Sequence, residues 1–378
     1  MSDVAPAQGE STPGSPMGPE RARPGYLTPR RIFSGIAVAL TVILVILVIW
    51  LIYLLLRPGG LVARGGADVA GLTPLLTITG PGKGANPDFK KPMGAAFGID
   101  GRIYVSDTGN NRVCVFDRDG GFLFEFGGFG VRKALPGGTF SWSPGRMDYP
   151  IGISVDPTDG SVYVADFRND QIQRFSADGS FTAAFPDPTK PVGRGSSGQE
   201  GTGIAVTDVA ARGGKVYATD AYQVFVFGSD GRLIRQFGKP GVGPTDLDHP
   251  NGIAAGPDGR VYVSDSNHAR VIAFDARGAR LWAYGELPLD GAASETSGAL
   301  GMPRGLAVDG AGTVYVADSF LFGLVALSPD GGLIGRFGQR GDVPAEFNFP
   351  NDVDERDGLL LVADKENNRV QVLTLARR

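Results

Sequence analysis

From residue 91 to the C-terminus, apolar and polar positions follow one phrase six times. Its clearest copy, residues 249–285, reads HPNGIAAGPDGRVYVSDSNHARVIAFDARGARLWAYG. The others span residues 91–127, 149–185, 202–238, 302–338 and 349–378. Each full copy holds four short apolar or alternating runs of strand length, separated by Asp-Gly or Gly-rich turns that suit tight hairpins. Four antiparallel strands repeated six times predict an all-β, six-bladed propeller over residues 72–378. The sixth copy stops after its third strand. The stretch LLTITGPGKGAN at residues 75–86 has the strand-then-Gly-Pro-Gly character of the missing fourth. Residues 75–79 are therefore expected to complete the last blade beside residues 369–375, leaving no open edge.

The beginning of the chain follows a different pattern. Residues 32–56, IFSGIAVALTVILVILVIWLIYLLL, carry no charge. At about 1.5 Å per residue such a helix exceeds the roughly 30 Å hydrocarbon layer. The expectation is one transmembrane helix preceding the propeller, an uncleaved signal anchor rather than a signal peptide, whose apolar part is shorter. Arg21, Arg23, Arg30 and Arg31 precede it, and only Arg57 and Arg64 closely follow. That bias places residues 1–31, a Pro/Gly/Ser-rich tail of disordered composition, in the cytoplasm, and residues 57–378 outside. Residues 57–71 read as a tether.

Composition narrows the chemistry. The 58 Gly and 27 Pro exclude a long-helix protein. The net charge of −4 offers no basic excess for nucleic acid. With two His, a three-His zinc site cannot be built. Cys114, the one cysteine, alternates with valines in a strand and reads as a small core residue.

The recurring P-x-G-[IL]-A-V-D…G-x-[VI]-Y-V-[AS]-D…N-x-R-V-x-V-F pattern, best carried by residues 91–116, 250–274 and 351–372, resembles the NHL-repeat family of six-bladed propellers. The resemblance covers about 80% of the chain and implies the fold; the family spans sensor, scaffold, RNA-binding and enzyme roles. Residues 250–266 are also similar to gluconolactonase-type propeller hydrolases. That similarity implies metal ligation by Asn251 and Asp265, with Ca²⁺ or another hard cation in the channel, but the Glu of that family's first blade has no counterpart here. The amidating lyases of the same fold need the zinc site that two His cannot supply.

Three sets of residues are candidates for function. An aspartate ends the second strand of every copy: Asp107, Asp166, Asp220, Asp265, Asp318 and Asp364. Their regular recurrence argues for an architectural role, binding the following turn and pairing with Arg112, Arg270 or Arg369. The residue after the Pro that opens each innermost strand should ring the channel mouth. There Asn251, Arg304, Asn351 and the adjacent Asp352 form a polar sector, facing an apolar one at Met93 and Ile151. Last, the long insert at residues 127–148 offers Phe140 and Trp142 beside Arg132, Lys133 and Arg146. The expected function is a membrane-anchored, extracytoplasmic scaffold or sensor that binds a protein, peptide or glycan on the insert-bearing face, without a cofactor. The alternative is a hydrolase or lyase centred on the channel and using a divalent cation; an RNA-binding NHL domain is a remote third.

Overall fold

The computed structural model describes residues 71–84, 86–187, 189, 205–285 and 299–375. The tail, the apolar span at 32–56 and most of the tether lie outside the described residues. Among the described residues no helix is long and apolar enough to cross a membrane.

The described strands form six four-stranded antiparallel sheets and one small hairpin. From the innermost strand outward, blade 1 is Gly94–Phe97, Ile103–Asp107, Arg112–Phe116 and Phe122–Gly127. Blade 2 is Pro150–Val155, Val162–Asp166, Gln171–Phe175 and Phe181–Phe185, and blade 3 is Asp208–Arg212, Lys215–Thr219, Val224–Gly228 and Leu233–Phe237. Blades 4 and 5 have innermost strands Pro250–Ala255 and Pro303–Val308 and repeat the order. Blade 6 is Pro350–Arg356, Leu359–Asp364 and Arg369–Leu375, and its outermost strand is Leu72–Ile78, from the other end of the propeller sequence. Leu72 pairs with Leu375 and Ile78 with Val370, with one irregularity between Pro74 and Leu76.

The apolar pattern explains this architecture. The second and third strands, such as VYVAD at Val162–Asp166 and RVIAF at Arg270–Phe274, are buried throughout because both faces of a blade meet a neighbouring blade. The outermost strands are more exposed, alternating in FLFEFG at Phe122–Gly127 and open along most of Leu233–Phe237. The core is accordingly divided into six clusters, one in each gap between adjacent blades. In blade 3 the innermost strand is Asp208–Arg212. The Gly213-Gly214 turn, with both residues left-handed, fixes the hairpin to the next strand and so sets which residues can pair.

Around the axis the innermost strands approach closely. Gly94, Gly152, Gly252 and Gly305 occupy equivalent places on blades 1, 2, 4 and 5, and a Cβ on any of them would collide with the next blade. On blades 3 and 6 that place is taken by Asp208 and Asp352. Each Asp fills the space left by the preceding blade's glycine and accepts a backbone N–H from the following blade: Ile253 to Asp208 at 2.9 Å, Ala95 to Asp352 at 3.0 Å.

Candidate functional site

The channel has two unlike ends. The lower end, where the innermost strands run into short turns, forms a cavity of about 330 Å³ whose lining includes Ser154, Asp208, Arg212, Asp352, Asp354 and Arg356. Asp354 accepts the Phe97 N–H at 2.7 Å, repeating the link between blades 6 and 1. Burial pushes Asp208 up to about 7 and Asp354 up to about 6. Asp352 is raised well above the usual carboxylate range, by burial and then by the charge of Asp208. The nearby arginines form no ion pair with them: Arg212 donates to the Ala255 carbonyl and Arg356 to the carbonyls of Gly98 and Ile99, although the Arg356 charge partly offsets the burial of Asp354. These carboxylates act as straps between blades, held partly protonated by their surroundings.

A pH dependence follows. The folded chain holds protons on these groups that the unfolded chain releases near pH 4, so stability falls as pH rises from about 4 to 7. Thermal melts at fixed ionic strength should give a higher midpoint at pH 5 than at pH 8. Asp208→Asn combined with Asp352→Asn should shrink that difference by more than half. A midpoint that climbs steadily from pH 5 to 8 would contradict the assignment.

The upper end carries the turns after the six repeat aspartates and the connections between blades. Each aspartate is buried and accepts hydrogen bonds from the turn that follows it or from the connection that leads into its blade. Asp107 accepts from Lys90 N (2.7 Å), Asn110 Nδ2 (2.8 Å) and Arg112 Nε (2.8 Å). Asp364 accepts from Asn348 N, Asn367 Nδ2 and Arg369 Nε. Asp166 binds Gln171 and Gln173 where Asp107, Asp265 and Asp364 bind Arg, and burial lifts it to about 6. Asp318 and Asp220 hold turn N–H groups. Asp265 accepts from Asp248 N, Arg270 Nε and, at 2.7 Å, His268 Nδ1. Asn251 turns its amide to the His249 carbonyl. Asp265 thus already carries a guanidinium, and Asn251 and Asp265 do not fit a divalent cation; no group of three His, Cys, Asp or Glu among the described residues could hold one.

The upper mouth is framed by residues that sequence reasoning passed over. Lys91, Tyr149, His249 and Phe349 each precede the Pro that opens an innermost strand, and each is left-handed, with φ of 55, 62, 50 and 54°. Such backbone is uncommon for bulky side chains. It is held in part by the preceding blade: Asn111 Oδ1 accepts the Tyr149 N–H at 2.7 Å, and the Ala221 carbonyl accepts that of His249 at 2.7 Å. A hydroxyl after the second strand adds a link on several blades: Thr108 donates to the Pro150 carbonyl at 2.7 Å, Ser319 to that of Pro350 at 2.6 Å. Three of the four left-handed residues are rings packed on rings of the neighbouring turns: Tyr149 with Phe167, His249 with Tyr222, and Phe349 with Phe320 and Phe322. Arg168 lies over Tyr149 and Arg340 over Phe322. Phe320 is 54% exposed. The signal was the residue before each Pro, where the repeat varies between Lys, Tyr, His, Met and Phe.

Of the residues singled out from sequence, Arg304 and Asn351 stand at this mouth, on blades 5 and 6. Asn351 is buried and donates to the Met93 carbonyl at 2.6 Å. Asp352 is not part of their sector: one residue farther along the strand, it lines the lower cavity. Phe140 and Trp142 are also elsewhere. The insert forms a hairpin, Lys133–Ala134 with Phe140–Ser141, whose Phe140 lies under Arg132 at 3.9 Å. Trp142 packs edge-on against Phe181, at the start of the outermost strand of blade 2, with ring centroids 5.4 Å apart. Apolar contact with that flank, rather than with the mouth, places it there.

The repeat model described as "NHL repeat" matches residues 89–116, 147–175, 247–274 and 347–373, which open blades 1, 2, 4 and 6. The protein carries NHL repeats on a six-bladed propeller. Blades 3 and 5 fall outside the match; the first lacks the opening Pro, and the second has Gly323 where an Arg elsewhere pairs with the repeat aspartate. The NHL-repeat chain is 25% identical over 197 residues to Protein brain tumor of Drosophila melanogaster, covering 52% of this chain and 12% of that one. It is 23% identical over 198 residues to mouse NHL repeat-containing protein 3, covering 47% of this chain and 49% of that one. The chain thus spans half or less of the length of these relatives. Among solved structures, a gluconolactonase from Xanthomonas campestris superposes with a TM-score of 0.50 at 21% identity, covering 76% of this chain and 86% of that one. At that identity the likeness shows the fold alone.

Proposed function

We propose that this NHL-repeat propeller is a binding module, a scaffold or sensor, that takes a protein or peptide ligand on its upper face, centred on the channel mouth. The observation that carries the reading is the frame of strained, paired aromatics at Tyr149, His249 and Phe349. Bulky residues in left-handed backbone persist only where the surroundings enforce them, and such positions cluster at functional sites. Aromatic rings and arginines, here the exposed Phe320 and the half-buried Tyr149 and Phe322 beside Arg168 and Arg340, are also the side chains that dominate interface energetics. The lower end supports no comparable role, since its carboxylates are occupied in joining blades. The apolar run at 32–56 and the arginines before it support the rest of the proposal: a membrane anchor with the propeller outside the cytoplasm.

Phe320→Ser combined with Phe349→Ser should weaken a ligand held by the wild-type chain by at least tenfold, with a thermal midpoint close to wild type for the Phe320→Ser single variant. Trp142→Ala should leave affinity within about twofold, because its ring faces the flank of blade 2. Loss of binding in Trp142→Ala with retention in the double variant would move the site to the insert.

A further inference from the structure

Arg304 is the residue at the upper mouth whose chemistry is incomplete. It follows the Pro that opens blade 5, and its backbone is fixed by close approach of Gly252 and by the Ser264 hydroxyl, which donates to its carbonyl. Among the described residues its guanidinium makes one polar contact, from Nη2 to the Met302 sulfur at 3.8 Å. Among the described residues no carboxylate pairs with it. Burial depresses its proton affinity, and the one titratable group facing it is the phenol of Tyr149 on blade 2, the blade opposite, which is neutral and supplies no counter-charge. A desolvated guanidinium without an anion is unfavourable in the free protein and is relieved when an anion arrives. The carboxylates that border the mouth are already taken: Asp148 by Arg168, Asp248 by His249, and Glu366 by Lys91 and Lys365. On the adjacent blade, Asn351 presents a second unmet group, because its buried Oδ1 has no hydrogen-bond donor.

Resting on the binding-module reading, we infer that the upper mouth recognises a peptide carboxylate, with Arg304 supplying the missing counter-charge and Asn351 Oδ1 accepting a backbone N–H of the same peptide. The donor set selects this class. One guanidinium matches the single charge and planar fork of a carboxylate. A phosphate, carrying nearly two charges, is recognised by clusters of arginines. The rings of Tyr149 and Phe349 offer apolar walls for the residue next to the carboxylate. An anion on Arg304 and an N–H on Asn351 are groups that a peptide end presents together.

The purified full-length chain should be incubated with an immobilised hexapeptide library, randomised without Asp or Glu, in three forms: free C-terminal acid, C-terminal amide, and amide with one fixed internal Glu. Retained peptides are then titrated by fluorescence anisotropy. Carboxylate-bearing peptides should bind at least tenfold more tightly than the carboxylate-free amide. Comparison of the acid and Glu forms shows whether the group comes from the chain end or a side chain. Arg304→Gln should bring the acid-to-amide ratio to about one, and Arg304→Lys should keep part of it. Peptides held equally as acid and amide by the wild-type chain would overturn the role of Arg304 while leaving the upper face a peptide-binding surface. A phosphoserine peptide bound more than tenfold tighter than its Glu counterpart would overturn the choice of anion. Retention of no peptide would overturn both this inference and peptide binding at the mouth. The acid-to-amide comparison on the wild-type chain stands even if an Arg304 variant fails to fold.

Discussion

A chain beginning at residue 81 should lose its cooperative melt or aggregate on expression. The deletion removes Leu72–Ile78, the outermost strand of blade 6, which pairs along its length with Arg369–Leu375. Leu72 and Ile78 are buried, one in the cluster between blades 5 and 6 and the other in that between blades 6 and 1. Burial of each such side chain is worth roughly 1.5–3 kcal/mol, before the loss of the hydrogen bonds of a whole strand pair. The exposed edge of Arg369–Leu375 would also be free to pair with other chains. Because the blades form a ring, opening one gap weakens the two clusters beside it. A chain from residue 81 that melts cooperatively within a few degrees of the intact protein would show that the terminal strand is dispensable.

Gly305→Ala should be nearly as damaging, although it adds a single methyl group. The new Cβ would lie 2.6 Å from the Asp352 Cα and closer still to its carboxylate. The obstacle is backbone of the innermost strand of blade 6, which cannot rotate away. Overpacking of this kind costs about 1–3 kcal/mol or more, and here it also disturbs the Asp352 strap to Ala95. As a contrast, Gly310→Ala, at a position with open space, should be nearly silent. Urea titrations of the two variants provide the comparison, and equal midpoints would contradict the close packing of the innermost strands.

Much of the fold was legible because the propeller repeats its hydrophobic phrase. The run YVSD or YVAD recurs wherever a second strand is buried on both faces, and the truncated sixth copy pointed to a strand from the N-terminal side. Blade 3 was harder to read, since its copy lacks the opening Pro and the Gly-Gly turn at 213–214 is what sets the pairing of its innermost strand. The site was less legible. Arg304 and Asn351 were found because varying residues at a fixed place in a repeat stand out. Asp352 was grouped with them by adjacency, yet neighbouring strand residues point to different places, and a glycine on blade 5 makes room for its carboxylate. Asp208 was hidden because nothing local marks a residue that replaces a glycine in a six-fold pattern. Trp142 has the composition of a binding residue, but the partner that holds it, Phe181, is distant in sequence and only the folded chain brings them together.

The central claim, that the upper mouth is the binding surface, is tested most directly by position-resolved photo-crosslinking in cells. A photoreactive amino acid would replace Phe320, at the upper mouth, or Ile99, which is 44% exposed at the lower end of the channel. The account predicts a discrete crosslinked species from position 320 that is reduced by Arg304→Gln, and none from position 99. A discrete species from position 99, with none from position 320, would contradict it.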